Sequence, residues 1–293
     1  MEVKDSTPDI NRPFKNINCA YCGVELDATS STKEHVIGKH FVPKGKLDGQ
    51  WNLILNVCRY CNNLKSDLED DLSAISMQPD GYGQHAVNDL ILFDQARRKA
   101  IGSKSRLTNK PVGDSKEKIE INSTLTPGVH LKLSMSSPPQ ADPARIYHLA
   151  EFHLKAFFYL VTYNQKTKRG GFWPGAFFPI LFSKRADWGN SVQVAFMHAI
   201  NDWQFRVRGI AADSFFKIII RRHPDAECWG WALEWNQSHR IIGFFGDPES
   251  IRSLLDTFPA LEFFDLPTSN SKNYVYRLRE EIPLNESADL LFK

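Results

Sequence analysis

Two cysteine pairs of identical spacing, Cys19-Ala20-Tyr21-Cys22 and Cys58-Arg59-Tyr60-Cys61, constrain this chain more than any other feature. Two thiolates separated by two residues can occupy two corners of a tetrahedron, each about 2.3 Å from one metal ion, and a second pair completes it. Cys19, Cys22, Cys58 and Cys61 are therefore expected to bind structural Zn²⁺ in a closed site with no position left for substrate. Two disulfides are the alternative, and they require an oxidising compartment. The stretch from Met1 to Ile10 is polar, and no apolar run approaches the roughly 18 residues of a membrane span. A cytoplasmic location with reduced thiols and no membrane partner is expected. Cys228, next to Trp229, is expected to be a buried thiol.

The remaining composition sets limits. With 293 residues, 42% hydrophobic and 24% charged, the chain can bury a real core in one large or two modest domains, which excludes global disorder and a disulfide-dense scaffold. The net charge of only +2 supplies no global field, so a nucleic acid must be met by a local patch.

About 35 residues separate the cysteine pairs, more than a simple zinc ribbon uses. A β-prone stretch around His35, a loop with Pro43 and Gly45, an apolar stretch at 52–57 and a helix from near Arg59 predict a β-β-α unit. Cys19-x-x-Cys22, Glu34-His35-Val36-Ile37, Asn52-Leu53 and Cys58-x-x-Cys61-Asn62-x-x-Lys65, in that order, resemble the HNH endonucleases, specifically their zinc-stapled ββα-metal subgroup. The resemblance covers roughly residues 15–72. It implies a nuclease in which the acidic residue before the histidine binds a divalent metal, the histidine activates water, and the middle asparagine supports the active-site loop. Glu34 stands where aspartate is more frequent in the family, and Asn62 replaces the final histidine, giving the HNN variant. Restriction or phage defence is the setting the resemblance implies.

The chemistry gives these residues compatible roles. Phosphodiester hydrolysis needs a deprotonated water and a cation on the scissile phosphate. His35 is the candidate general base, since an imidazole is largely unprotonated at neutral pH. Glu34 and Asn62 are the candidate ligands of a catalytic Mg²⁺ or Mn²⁺, both hard oxygen donors. In an extended strand, adjacent side chains alternate, so Glu34 and His35 face opposite ways unless the strand bends. Asn63 competes with Asn62, and Asn56 with Asn52, the preferred loop support. His40 is read as a loop residue and Glu69-Asp70-Asp71 as a solvated helix face.

Lys33, Lys39, Lys44, Lys46, Arg59 and Lys65 are expected to surround the site. From Arg97 to Lys118, eight cationic side chains face only Asp114 and Glu117, which reads either as a phosphate-binding patch or as a solvated linker. Further predictions are a β-hairpin across Thr126-Pro127-Gly128, an amphipathic helix from Pro143 to about Thr162 with His148 and His153 as ordinary members, and strands at 205–210, 215–221, 228–235, 240–245 and 274–278. A helix at 248–258 is capped by Asp247. The tryptophans are read mainly as core, with base stacking as the alternative.

The expected fold is thus α+β: a zinc-stapled HNH unit at 1–80, a helix, basic linker and β-hairpin at 81–140, and an α+β domain with an antiparallel sheet at 141–293. The expected function is metal-dependent cleavage of nucleic acid, DNA foremost and RNA the rival substrate. The C-terminal part would position substrate, sense a ligand or bind a protein. The rival from another class is a non-catalytic zinc module that only binds nucleic acid or protein.

Overall fold

The computed structural model describes residues 12–116, 118–261, 263–267, 273–277 and 281–293. The short β1 (Arg12–Pro13) pairs in parallel with β3 (Leu53–Cys58), whose other side pairs antiparallel with β2 (Ser31–His35). Helix α1 (Arg59–Ser76) follows without a loop. This is the predicted β-β-α order. Burial in β3 alternates, with Leu53, Leu55 and Val57 buried against α1 and the core.

Helix α2 (Leu90–Gly102) is capped by Asp89, whose carboxylate accepts from the Leu92 N–H. The segment after it is docked, not a loose linker: Lys104 bridges to Pro111, and Val112 is buried with Ala74 and Ile75 at the end of α1. Strands β4 (Lys118–Thr126) and β5 (Val129–Ser136) form the expected hairpin, with Gly128 at φ +87° in its turn. Asp142 then caps α3 (Pro143–Thr162), whose first residue is the proline that the sequence places there.

A five-stranded antiparallel sheet fills the C-terminal half. Its strands are β6 (Ala176–Lys184), β7 (Gln204–Ala211), β8 (Phe216–Arg222), β9 (Cys228–Trp235) and β10 (His239–Gly246), in the spatial order β6-β10-β9-β8-β7. Helix α4 (Ser191–Ala199) precedes β7, and α5 (Pro248–Leu255) follows β10 with Asp247 as its cap. A separate pair, β11 (Phe263–Pro267) and β12 (Asn273–Arg277), lies beyond; Leu278, the expected end of the last strand, is outside the described residues.

Every residue of β9 and β10 is buried, because both faces of the sheet are covered. Trp229, Trp231, Leu233 and Trp235 join one core with α3 and the N-terminal unit, while Cys228 and Ala232 join a second with Phe196, Ile251 and Phe292. Trp203, Trp229, Trp231 and Trp235 are therefore core. Helix α3 is the central element, apolar around most of its circumference, and the first core runs through it from Cys19 to Phe245. The chain is mixed α+β with an antiparallel sheet, and among the described residues no helix is long and apolar enough to cross a membrane.

Candidate functional site

The first cysteine pair sits in a tight turn, where the Cys19 N–H donates to the Val24 carbonyl and the Gly23 N–H to the Cys19 carbonyl. Gly23 takes φ +79° with the Phe172 ring against it, so a side chain there meets both strain and crowding. The second pair straddles the junction of β3 and α1. All four sulfurs lie within 4.8 Å of one another, and Cys22 Sγ is 3.8 Å from Cys58 Sγ. That matches the roughly 3.8 Å edge of a tetrahedron with 2.3 Å bonds, and it is far from the roughly 2.05 Å of a disulfide. Burial raises the Cys19 thiol to about 11 and, with the nearby Cys19, pushes Cys61 up as well. Four thiolates cannot share this space without a cation to hold them. The cluster can hold a metal ion and suits structural zinc.

Register decides what the Glu34-His35 pair does. Glu34 lies opposite Leu55 and His35 opposite Ile54, so the two side chains leave opposite faces of the hairpin. Glu34 points inward, its side chain 9% exposed, with Oε1 2.7 Å from Lys65 Nζ. Lys65 also binds Glu69 Oε1 at 2.6 Å, and Glu69 accepts from the Gly38 N–H at 3.3 Å. A Cβ on Gly38 would sit 2.4 Å from the Glu69 carboxylate, so a side chain there would have to displace that carboxylate. Burial raises the Glu34 carboxyl although Lys65 opposes it; the same ammonium keeps Glu69 below the usual range despite its burial.

His35 faces a cavity of about 460 Å³ together with Lys39, His40, Lys44, Asn52 and Gln95. Burial, with Lys39 and Lys65 nearby, lowers the imidazole pKa below its ordinary value, and the ring has no hydrogen-bond partner among the described residues. It is a neutral base at pH 7. The adjoining loop is clamped by Asn52, whose Oδ1 accepts from the Ile37 N–H at 3.1 Å and whose Nδ2 donates to the Ile37 carbonyl at 2.8 Å. Asn56 is engaged elsewhere, with the backbone of Asn16. Of the two asparagines the sequence offers, Asn52 holds the loop.

His35 and Asn52 are thus brought together, whereas Glu34 and Asn62 do not line their cavity. Asn62 is half-buried in the first turn of α1, and Glu34 is committed to Lys65. As placed, these two do not fit a Mg²⁺ or Mn²⁺ site beside His35. The expected ring of cations is also smaller: Lys39 and Lys44 line the cavity, but Lys46 pairs with Asp89 and Asp213, and Lys65 is buried. Farther along, Arg97 and Arg98 pair with Asp94, and Arg106 with Asp67 and Asp70.

Glu69-Asp70-Asp71 is not a uniformly solvated face. Glu69 belongs to the buried network, and Asp71 is 1% exposed, gripped by Arg145 of α3 at 2.8 Å. His153 is fully buried amid Phe41, Phe216 and Trp235, with Nε2 3.8 Å from Glu69. His40 sits in a loop, as read from the sequence, yet it lines the cavity, and Gln95 was not foreseen there. His40 had no position in the motif, and Gln95 arrives from α2, where it accepts a hydrogen bond from the Lys44 N–H.

No family model, curated protein or solved structure matches this chain.

Proposed function

We propose that this protein is an HNH-type endonuclease that hydrolyses phosphodiester bonds in nucleic acid, DNA foremost, with His35 as general base. The observation that carries the reading is the Asn52 clamp on Ile37. It fixes the loop next to a neutral imidazole that faces a cavity edged by two lysines. Lys39 and Lys44 would take the phosphate charge, and His35 would accept the proton of the attacking water. The four-thiolate cluster holds the hairpin to the helix and takes no part in the chemistry.

A divalent metal is implied by the resemblance alone, and Glu34, sequestered by Lys65, is not free to hold it beside His35. In its place Glu34 has a positioning role: with Lys65 and Glu69 it fixes the underside of the strand that carries His35 and of the loop that follows it. The same sequestration is what favours the rival reading, a zinc module that binds nucleic acid without cutting it.

End-labelled duplex DNA, single-stranded DNA and matched RNA, incubated with the full chain in Mg²⁺, Mn²⁺ or EDTA, separate the cases. Cleavage of DNA with Mg²⁺ or Mn²⁺ and none in EDTA supports the proposal. Cleavage of RNA alone changes the substrate, and retention of DNA without cleavage under every condition supports the binding module.

A further inference from the structure

A second cavity, of about 580 Å³, lies away from His35 where the turn after α1 meets one end of the five-stranded sheet. Five separate segments converge on it: Gln78–Ala86, Pro138–Pro139, the end of β6 with Lys184, the start of β10 with Ser238 and His239, and Pro283. Its volume falls within the range of small-molecule sites. Its walls are largely apolar, formed by Ile75, Ala86, Ala186 and the prolines.

The charges around it are unequally committed. Arg185 pairs with Glu286 at 2.8 Å, and Asp80 Oδ1 accepts the backbone N–H groups of Tyr82 and Gln84, both at 2.9 Å. His239 shares a hydrogen bond of 2.7 Å with the Ser238 hydroxyl, and its burial, with Lys184 adding, lowers it to about 3, so it carries no charge. Glu281 is an exposed carboxylate at the rim. Lys184 is different. It is half-buried, and its ammonium has no ion pair or hydrogen bond within contact distance among the described residues; the Glu281 and Asp80 carboxylates of the same cavity act on it from farther away. An adjoining cavity that shares Gln78, Asp80 and Pro138 adds the Ser137 hydroxyl, buried and without a partner among the described residues. A half-buried ammonium whose counter-charges stand beyond contact distance, in a cavity whose neighbour holds an unpartnered hydroxyl, has room for a closer anion.

We propose that this cavity binds a small organic anion, a carboxylate or phosphate monoester whose charge meets Lys184 Nζ and whose apolar body lies against the proline walls. The site is independent of the nuclease reading, since none of its residues lines the His35 cavity.

Titration calorimetry on the full chain tests this with two matched pairs of probes: adenosine 5′-monophosphate against adenosine, and 1-naphthoate against 1-naphthamide. At least one anion should bind about tenfold or more tightly than its uncharged counterpart, the scale of one charge-assisted hydrogen bond. The pair that shows the preference identifies phosphate or carboxylate. Lys184→Gln should erase the preference and Lys184→Arg retain part of it, while Lys39→Gln, in the other cavity, should leave it intact. Equal affinity for anion and neutral counterpart in both pairs overturns the proposal with the wild-type chain alone, whatever the variants do. A preference that survives in folded Lys184→Gln, or vanishes in Lys39→Gln, overturns it as well.

Discussion

Lys65 sets the interior of the N-terminal unit, because its ammonium meets both the buried Glu34 carboxylate and the half-buried Glu69 carboxylate. Removing one member of such a group leaves charge uncompensated in a dry site, so Lys65→Met should cost about 3–5 kcal/mol. Urea unfolding measures it, and a loss under about 1 kcal/mol would show that the three groups are not coupled. Asn52→Ala leaves the N–H and C=O of buried Ile37 without partners and should cost about 1–3 kcal/mol. If the loop support matters to chemistry, cleavage should fall more than tenfold under conditions where the variant is still folded. The sequence supports His35 and Asn52 through motif and spacing. It also carries the alternation that turns Glu34 away from His35, but not the destination of Glu34. Its partner Lys65 reads in sequence as a phosphate contact, and only the packing of α1 under β2 brings the pair together.

At the scale of elements, α3 and β10 each bury a neutral imidazole. Burial lowers His153 to about 4 and His239 to about 3, below the ordinary 6.5. The unfolded chain therefore binds these protons first as pH falls. The stability they allow is complete above about pH 6.5 and is lost as pH drops toward 4. Between pH 7 and 5.5 each should cost roughly 1–1.5 kcal/mol by urea unfolding. His153→Phe, in an aromatic pocket, should remove its share, and an unchanged slope would contradict the assignment. Helix α3 is legible in sequence because its cap, its proline and its apolar steps agree. Strand β6 is not, since Pro179 in its middle argues against a strand. The structure shows why it is tolerated: β6 is an edge strand, and the register shifts opposite Ile242 and Gly243, at the proline. Helix α4 is short and mostly apolar, so it presents no period to read. The docking of Asp71 on Arg145 joins residues 74 positions apart and has no local signal.

Across the whole molecule, one core runs from the cysteine pairs through α3 into the sheet, so metal, fold and cavity are linked. Elemental analysis should find one zinc per chain. Cys58→Ser should lose it together with cooperative unfolding, because metal binding in such sites contributes directly to folding. A folded, zinc-loaded Cys58→Ser would refute the four-sulfur assignment. The proposed activity depends on a smaller group, His35 and the loop beside it, and the most direct test is nicking of supercoiled plasmid by wild type and His35→Ala in parallel with Mg²⁺ or Mn²⁺. Relaxed circles are expected with wild type only, from two proteins of equal zinc content and equal melting temperature. Equal nicking by both, or none by either, would contradict His35 as the base of a DNA nuclease.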